Sequence, residues 1–239
     1  MSEVGGRRPE GGGRIGALRE RSLHAALKAW YAQPGDLLEE SVDGFWIDIV
    51  RGDLLIEVQT RSFAKIKGKL VTLLASHPVR LIYPVAQEKW IVRVAADGVT
   101  PVSRRKSPKR GRIEDLFGEL VSFPELILHP NFAVEVVLVR AEEVYRDDGK
   151  GSWRRKGWSV HDHRLIDVVG QVMLASAADF RLLLPPTLGA SFTGRELATA
   201  AGMTVRLAQK MLYCLRRMGV VEVAGKRGRA LVYGVDRGP

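Results

Sequence analysis

The sequence has little cysteine, no long apolar run and fewer acidic than basic residues. Of its 239 residues only Cys214 is a cysteine, which excludes an internal disulfide and a zinc site built from cysteines. No apolar run is long enough to span a bilayer. Residues 1–14 are rich in Gly and Arg and lack the apolar core of a secretory signal. We therefore expect a disordered tail over residues 1–14, a cytoplasmic protein and no membrane partner.

The charge balance points to a polyanionic partner. The chain carries 37 Lys and Arg against 27 Asp and Glu, a net charge of +10 with a pI near 10.0. Such an excess favours binding to nucleic acid. The length fits one large domain or two small ones, and a hydrophobic content of 46% is ample for a core.

Residues 45–59 form the most informative stretch, which we interpret as two strands joined by a turn at Arg51-Gly52. If Val50 lies opposite Asp53, then Asp48 and Glu57 share one face, diagonal to each other and roughly 7–8 Å apart. Two such carboxylates could hold one divalent cation. Alternatively, they lie on the solvated side of an amphipathic hairpin. The opposite face would be wholly apolar, with Ile47, Ile49, Leu54, Ile56 and Val58.

Helices and strands are predicted on both sides of this hairpin. Residues 15–33 have helical periodicity, with Glu20 inside the apolar arc, and residues 36–42 form a first strand. Residues 62–74 predict a second helix with Ser62 as N-cap and with Lys65 and Lys69 on one flank. Residues 79–85 predict a strand buried on both faces, and residues 89–94 a further strand.

This order of elements over residues 15–95 resembles the PD-(D/E)xK, or restriction-endonuclease-like, nuclease superfamily. The resemblance makes Asp48 the first acid and Glu57-Val58-Gln59 the (D/E)xK tripeptide, with Asp48 and Glu57 holding Mg²⁺ or Mn²⁺. Gln59 stands where the family usually has Lys. The resemblance implies that Lys65 or Lys69 could supply the missing charge, and that Glu20 could complete the metal site.

Two basic stretches are predicted to contact phosphates. In residues 104–112 six of nine residues are basic, and Pro108 and Gly111 predict an exposed loop. The basic residues are Arg104, Arg105, Lys106, Lys109, Arg110 and Arg112. The second stretch, residues 146–158, interleaves basic residues with two tryptophans, which could stack on unpaired bases or pack the loop down. Its candidate contacts are Arg154, Arg155 and Lys156.

After a helical pattern over residues 165–184, Pro185-Pro186 marks a boundary. Beyond it, Thr193 and Glu196 form a capping box for a short helix, and Thr204 caps a second helix that ends at Met218. A hairpin with a basic tip follows. This order resembles a winged helix-turn-helix, a module that binds DNA or docks proteins. The resemblance places DNA contacts at Arg206, Gln209 and Lys210 on the helix and at Lys226, Arg227 and Arg229 on the wing.

These expectations combine into an α/β fold with four regions. They are a tail (1–14), a restriction-endonuclease-like mixed sheet flanked by helices (15–140), a basic loop and helical connector (141–185), and a winged helix-turn-helix domain (186–239). The expected function is a Mg²⁺- or Mn²⁺-dependent DNA endonuclease. A non-catalytic DNA-binding protein with a degenerate nuclease-like domain, and a nuclease that acts on RNA, remain alternatives. Formation of a homodimer is left open.

Overall fold

The computed structural model describes residues 22–151, 153 and 157–235, which fold into a mixed α/β structure with two sheets. The helices are α1 Ser22–Tyr31, α2 Lys67–Leu74, α3 Phe117–Leu120, α4 Ala177–Arg181, α5 Gly194–Ala200 and α6 Val205–Arg217. The strands are β1 Leu37–Val42, β2 Phe45–Arg51, β3 Leu54–Val58, β4 Val79–Val94, β5 Pro101–Lys106, β6 Phe132–Asp147, β7 Trp158–Leu174, β8 Ser191–Thr193, β9 Val221–Arg227 and β10 Ala230–Val235.

The larger sheet has seven strands in the order β1-β2-β3-β4-β6-β7, with β5 paired to the far end of β4. The meander β1 to β3 is antiparallel, whereas β3, β4 and β6 run parallel. β7 returns antiparallel to β6. This topology confirms the expected α/β class with a mixed sheet.

The two faces of this sheet bury different hydrophobic clusters. On one face, Leu23 and Leu27 of α1 pack with Ile56, Val58 and other sheet residues. On the other face, a larger cluster is built from α2, α3, the 3-10 segments around α3 and the C-terminal elements. Because both faces are covered, the central strands are apolar on both sides, as parallel strands in α/β folds usually are.

The predicted meander is correct, but the start of the next helix is not. Residues Phe63–Ile66 form a 3-10 turn, and the α-helix begins only at Lys67. Ser62 makes no capping hydrogen bond and has a left-handed backbone, with φ 61°. The Ser62 side chain therefore does not cap the helix as the sequence predicted.

Two further predictions of secondary structure are wrong. The two strands expected at 79–85 and 89–94 form one continuous strand, β4, that runs through Pro84 beside β6. In the first half of the helix expected over residues 165–184 the chain instead continues the strand β7, which pairs with β6 along its whole length, and only Ala177–Arg181 is helical. Pairing with a long neighbouring strand outweighed the local helical periodicity.

The C-terminal unit, defined as residues 186–235, follows its prediction closely. The Thr193 hydroxyl accepts from the Glu196 amide at 3.3 Å, and the Thr193 amide donates to the Glu196 carboxylate at 2.7 Å, which completes the capping box. Thr204 caps α6 by accepting from the Leu207 amide. The hairpin β9–β10 turns at Gly228-Arg229, because Arg227 pairs with Ala230. Leu197 and Met211 belong to the larger cluster of the main sheet.

Candidate functional site

Asp48 and Glu57 lie next to each other at the end of the β2–β3 hairpin. The strands pair at Ile49–Ile56 and at Arg51–Leu54, so the turn is Gly52-Asp53 and not Arg51-Gly52 as expected. In this register Asp48 comes directly opposite Glu57 rather than diagonal to it. The observed pairing ends at Ile49–Ile56, so Asp48 and Glu57 lie just beyond it, close enough for the charge of Asp48 to act on Glu57.

The regular ladder ends at this point, and the Asp48 side chain replaces it. The Val58 amide donates to Asp48 Oδ2 at 2.8 Å. Ile47 joins the larger hydrophobic cluster, whereas Ile49 joins the cluster under α1, so the apolar face predicted to contain both is interrupted. Glu39, opposite Asp48 on β1, has a left-handed backbone with φ 54°. Asp48 thus lies where the meander departs from strict alternation.

A histidine of α1 holds the Asp48 carboxylate. His24 Nε2 lies 3.2 Å from Asp48 Oδ2, and Lys28 adds positive charge from one turn further along α1. Burial alone would raise the pKa of Asp48, but the hydrogen bond and charge of His24, with the Val58 amide, bring the pKa below its ordinary value. His24 is not among the site residues that the sequence predicted. Its side chain is only 24% exposed and contacts the candidate site.

Glu57 has the opposite electrostatic character. Burial, together with the negative charge of Asp48, raises the pKa of Glu57, although Lys69 opposes the shift. Lys69 Nζ lies 2.7 Å from Glu57 Oε1 and also donates to the Trp46 carbonyl. Glu57 Oε2 is buried and has no hydrogen-bond partner among the described residues. A buried carboxylate oxygen without a partner is costly, so this atom calls for a proton or a cation.

Of the two lysines predicted to reach the carboxylates, only Lys69 does so. Lys65 lies in the 3-10 turn and is exposed. The Gln59 amide nitrogen donates to the Arg61 carbonyl at 2.5 Å and to the Ser62 carbonyl at 3.5 Å, which fixes the side chain to the turn after β3. Glu20 lies outside the described residues.

The donor set at Asp48 and Glu57 fits a hard divalent cation that keeps water and substrate oxygens as its other ligands. Mg²⁺ is commonly bound through one or two carboxylates together with phosphates. In the described part of the chain, no cluster of three or more His, Cys, Asp or Glu side chains is arranged to hold a metal. The fit therefore depends on two carboxylates and on the unpartnered oxygen of Glu57.

The basic stretch at residues 104–112 is less available than the sequence predicted. Residues Arg104 to Lys106 belong to the strand β5 and not to a loop. Arg104 pairs with Glu142 at 2.8 Å, and Glu88 pairs with Lys106 at 2.8 Å and with Arg110 at 3.4 Å. The acidic partners lie on β4 and β6, outside the basic stretch, so part of its positive charge is already neutralised within the described residues.

Arg112 of the same stretch joins the C-terminal unit to the main sheet. Its guanidinium donates to the carbonyls of Ala201 and Gly202 after α5 and pairs with Glu114 at 3.0 Å. Arg105 and Lys109 are exposed and have no ion pair within the described residues. Arg154, Arg155 and Lys156 lie outside the described residues.

Helix α6 presents some of its predicted contacts to solvent and uses others internally. Arg206 and Gln209 are exposed, and Tyr213 is 50% exposed on the same side. Lys210 instead donates to the Gly118 carbonyl at 2.8 Å and so contacts α3. On the β9–β10 hairpin, Lys226 and Arg229 are exposed, whereas Arg227 pairs with Glu196 at 2.5 Å.

Comparison with known proteins places the chain in a family. The family described as "Domain of unknown function (DUF8091)" matches residues 21–175, and the chain belongs to this family. An uncharacterized protein of Treponema pallidum (strain Nichols) is 31% identical over 221 residues, which cover 92% of this chain and 86% of that protein. No solved structure matches significantly. Among the described residues, no helix has the length and apolar character needed to cross a membrane.

Proposed function

We propose that this protein is a metal-dependent DNA endonuclease of the restriction-endonuclease-like kind, with a C-terminal winged helix-turn-helix. The observation that carries the proposal is the arrangement of Asp48, Glu57 and Lys69. Two carboxylates of opposite protonation tendency lie close enough for the charge of Asp48 to raise the pKa of Glu57, a lysine lies against Glu57, and one buried oxygen of Glu57 has no partner among the described residues. Perturbed acids beside a specific charge partner are typical of functional sites.

The order of elements supports the same class. The helix α1, the antiparallel meander β1–β3, the helix α2 and the parallel strand β4 follow one another as in the nuclease superfamily that the sequence resembles. The two carboxylates lie on the second and third strands of this meander. The positions of the first acid and of the acid in the tripeptide therefore agree with that resemblance.

Asp48 and Glu57 would hold Mg²⁺ or Mn²⁺, which would neutralise the scissile phosphate and lower the pKa of an attacking water. His24 keeps Asp48 ionised and fixes its orientation. Lys69 supplies the positive charge that Gln59 does not, because its ammonium already lies at hydrogen-bonding distance from Glu57. A preorganised cation at this place would stabilise charge that develops on the phosphate.

The C-terminal unit supplies the DNA-binding part of the proposal. Two capped helices followed by a hairpin that pairs with β8 support the assignment as a winged helix-turn-helix. From residue 190 to the end there are nine basic and three acidic residues, a balance of +6. Arg206, Gln209 and Tyr213 form an exposed row on α6, and Lys226 and Arg229 are exposed on the hairpin.

One observation favours a non-catalytic alternative. The Gln59 side chain is fixed to the turn after β3, so the third position of the tripeptide contributes no cation to the carboxylates. If Lys69 only neutralises Glu57, the domain would be a degenerate nuclease that binds DNA without cutting it. RNA remains an alternative substrate.

A plasmid-nicking assay tests the proposal. The full chain with Mg²⁺ or Mn²⁺ is expected to convert supercoiled DNA to nicked forms, and EDTA is expected to stop the reaction. Asp48→Ala and Glu57→Ala should each abolish the activity, whereas Asp53→Ala, an acid in the turn of the same hairpin, should retain it. Activity that persists in the first two variants would assign the cleavage to a contaminant.

A further inference from the structure

The main sheet has a gap between strands beside β4. It begins where β3 ends, close to Glu57 of the candidate site. β3 ends at Val58, and β5 pairs with β4 only from Trp90 onward. Between these points residues 83–89 of β4 have a neighbouring strand only on the side of β6. On the other side, the Gly111 and Ser107 amides donate to the carbonyls of Ala86 and Lys89. Crevices beyond the carboxyl ends of parallel strands are the usual ligand sites of open α/β sheets.

A cleft of about 310 Å³ occupies this gap on the α1 face. Leu23, Ala86 and Ala141 are among its apolar walls, Arg61 and Lys89 are its cationic side chains, and His163 also lines it. The volume is at the lower end of the roughly 300–1,000 Å³ that small-molecule sites have. An apolar interior with cations at its edge matches a nucleotide, which has an apolar base face and an anionic phosphate.

Of the two cationic side chains of the cleft, Arg61 is the one available to bind a phosphate. Lys89 is ion-paired with Glu143, which also accepts from the Tyr145 hydroxyl at 2.6 Å. The guanidinium of Arg61 has no ion pair within the described residues, and its own carbonyl is fixed by the Gln59 amide. Arg61 is exposed at the mouth of the cleft.

The cleft and the candidate site are lined by neighbouring residues of α1 and of the segment that begins with β3. Leu23 precedes His24, which contacts Asp48, and Thr60 of the cleft follows Glu57 by three residues. Three residues of extended chain span at most about 10 Å. A nucleic acid strand with its phosphate at Asp48 and Glu57 could therefore place a neighbouring nucleotide in the cleft.

We infer that this cleft binds one unpaired nucleotide of the substrate strand, with the base against Ala86 and Ala141 and the phosphate at Arg61. This inference deepens the proposed nuclease function, on which it rests, by naming its substrate as DNA with an unpaired segment. A base inside a duplex is stacked and paired, so it cannot enter such a pocket without being extruded. Single-stranded or flapped DNA is therefore the preferred substrate.

Binding measured in EDTA tests the cleft separately from cleavage. The probes are a fluorescein-labelled ten-nucleotide oligo-dT and a 20-base-pair duplex with the same label. Ala86→Phe fills the cleft from a half-buried position, and Arg61→Ala removes the exposed cation. We expect each to weaken oligo-dT binding at least tenfold and to change duplex binding less than twofold. Arg181→Ala, which removes an exposed arginine of α4, is the matched control and should change neither.

Oligo-dT affinity that stays at the wild-type value in both cleft variants would overturn the inference, even if the plasmid is nicked. If Ala86→Phe does not fold, as judged by circular dichroism, the exposed Arg61→Ala still decides the question. If oligo-dT binding follows the cleft variants while no preparation cleaves DNA, the cleft assignment is supported and the nuclease proposal fails. The two failures are therefore distinguishable.

Discussion

Lys69 Nζ lies 2.7 Å from Glu57 Oε1, while the other oxygen of the same carboxylate is buried without a partner in the described part of the chain. Lys69 comes from α2. In the nuclease superfamily that the sequence resembles, the lysine stands at the position of Gln59, directly after β3. The Lys69 side chain is also fixed by the Trp46 carbonyl. Its ammonium is thus held in place before any substrate binds, which is the arrangement expected for electrostatic stabilisation.

We predict that Lys69→Ala lowers the rate of DNA cleavage about 100-fold, which corresponds to about 2.7 kcal/mol of transition-state stabilisation. DNA affinity should change little, because the ammonium contacts Glu57 and not the exposed surface. Lys65→Ala is the matched control, since Lys65 is exposed one turn earlier in the same segment and should retain cleavage within about twofold. Single-turnover rates check both. Equal losses in the two variants would contradict the specific role of Lys69.

Metal binding should depend on pH through Glu57. The pKa of this carboxyl is raised by burial and by Asp48, so Glu57 retains its proton above the ordinary range for Glu. A metal must displace that proton. Affinity for Mn²⁺ should therefore rise with pH, by up to about tenfold per pH unit, until Glu57 is ionised, and then level off.

Calorimetric titration with Mn²⁺ between pH 5 and 8 checks this prediction. Glu57→Gln should bind more weakly and lose the pH dependence, whereas Lys65→Ala should keep both the affinity and the slope. An affinity that is the same at every pH would show that Glu57 does not exchange a proton for the metal.

Local signals in the sequence predicted local structure well. The capping box of Thr193 and Glu196 and the N-cap Thr204 depend on contacts within four residues, and both are observed. The prediction that Asp48 and Glu57 lie close together holds although the predicted turn was wrong by one residue. Moving the turn by one residue shifts the register by two residues, so a regular ladder would keep both side chains on the same face.

Features that depend on distant partners could not be predicted. The partners of the basic stretch, Glu88 and Glu142, lie on neighbouring strands whose register the sequence does not reveal. The part of β7 from residue 165 onward was predicted as a helix, because its apolar residues also fit a helical period and its pairing with β6 is a tertiary effect. One feature of the sequence could have indicated His24 as a site residue: it directly follows Leu23, which α1 buries against the sheet.

Salt dependence should locate the DNA-binding surface. We predict that Arg206→Ala combined with Lys226→Ala lowers the slope of log affinity against log salt by about two, because each lost phosphate contact removes about one unit. Both side chains are exposed. Lys210→Ala is the control, since its ammonium is already bound to the Gly118 carbonyl, and it should leave the slope unchanged. Fluorescence anisotropy with duplex DNA at several salt concentrations checks the prediction, and an unchanged slope in the double variant would contradict it.

The contact between the C-terminal unit and the main sheet should contribute to stability through Arg112. Hydrogen bonds from a charged donor are worth about 1.5–3 kcal/mol, and Arg112 donates to two carbonyls after α5. We predict that Arg112→Ala lowers the free energy of unfolding by about 2 kcal/mol in urea titrations. Arg110→Ala should leave the urea midpoint unchanged, because Glu88 keeps Lys106 and Arg140 as partners. Equal midpoints for the two variants would contradict this role of Arg112.

Substitutions of Gln59 distinguish between an active nuclease and a DNA-binding protein without catalytic activity. Its neutral amide offers donors and an acceptor but no charge, and it is fixed to the turn after β3. If Lys69 supplies the cation, Gln59→Lys should change wild-type cleavage less than about threefold, since one cation already lies beside the carboxylates.

The same substitution should restore at least tenfold of the cleavage lost in Lys69→Ala, because a lysine at position 59 would return a positive charge to the site. Gln59→Met, which is similar in size and uncharged, is the matched control and should restore none. The measurement is the single-turnover rate of the double variants. If the wild-type protein never cleaves DNA and the Gln59→Lys variant does, the proposal of an active enzyme is wrong and the degenerate nuclease is favoured. In that case Lys69 only neutralises Glu57, and the charge lost at position 59 was never replaced.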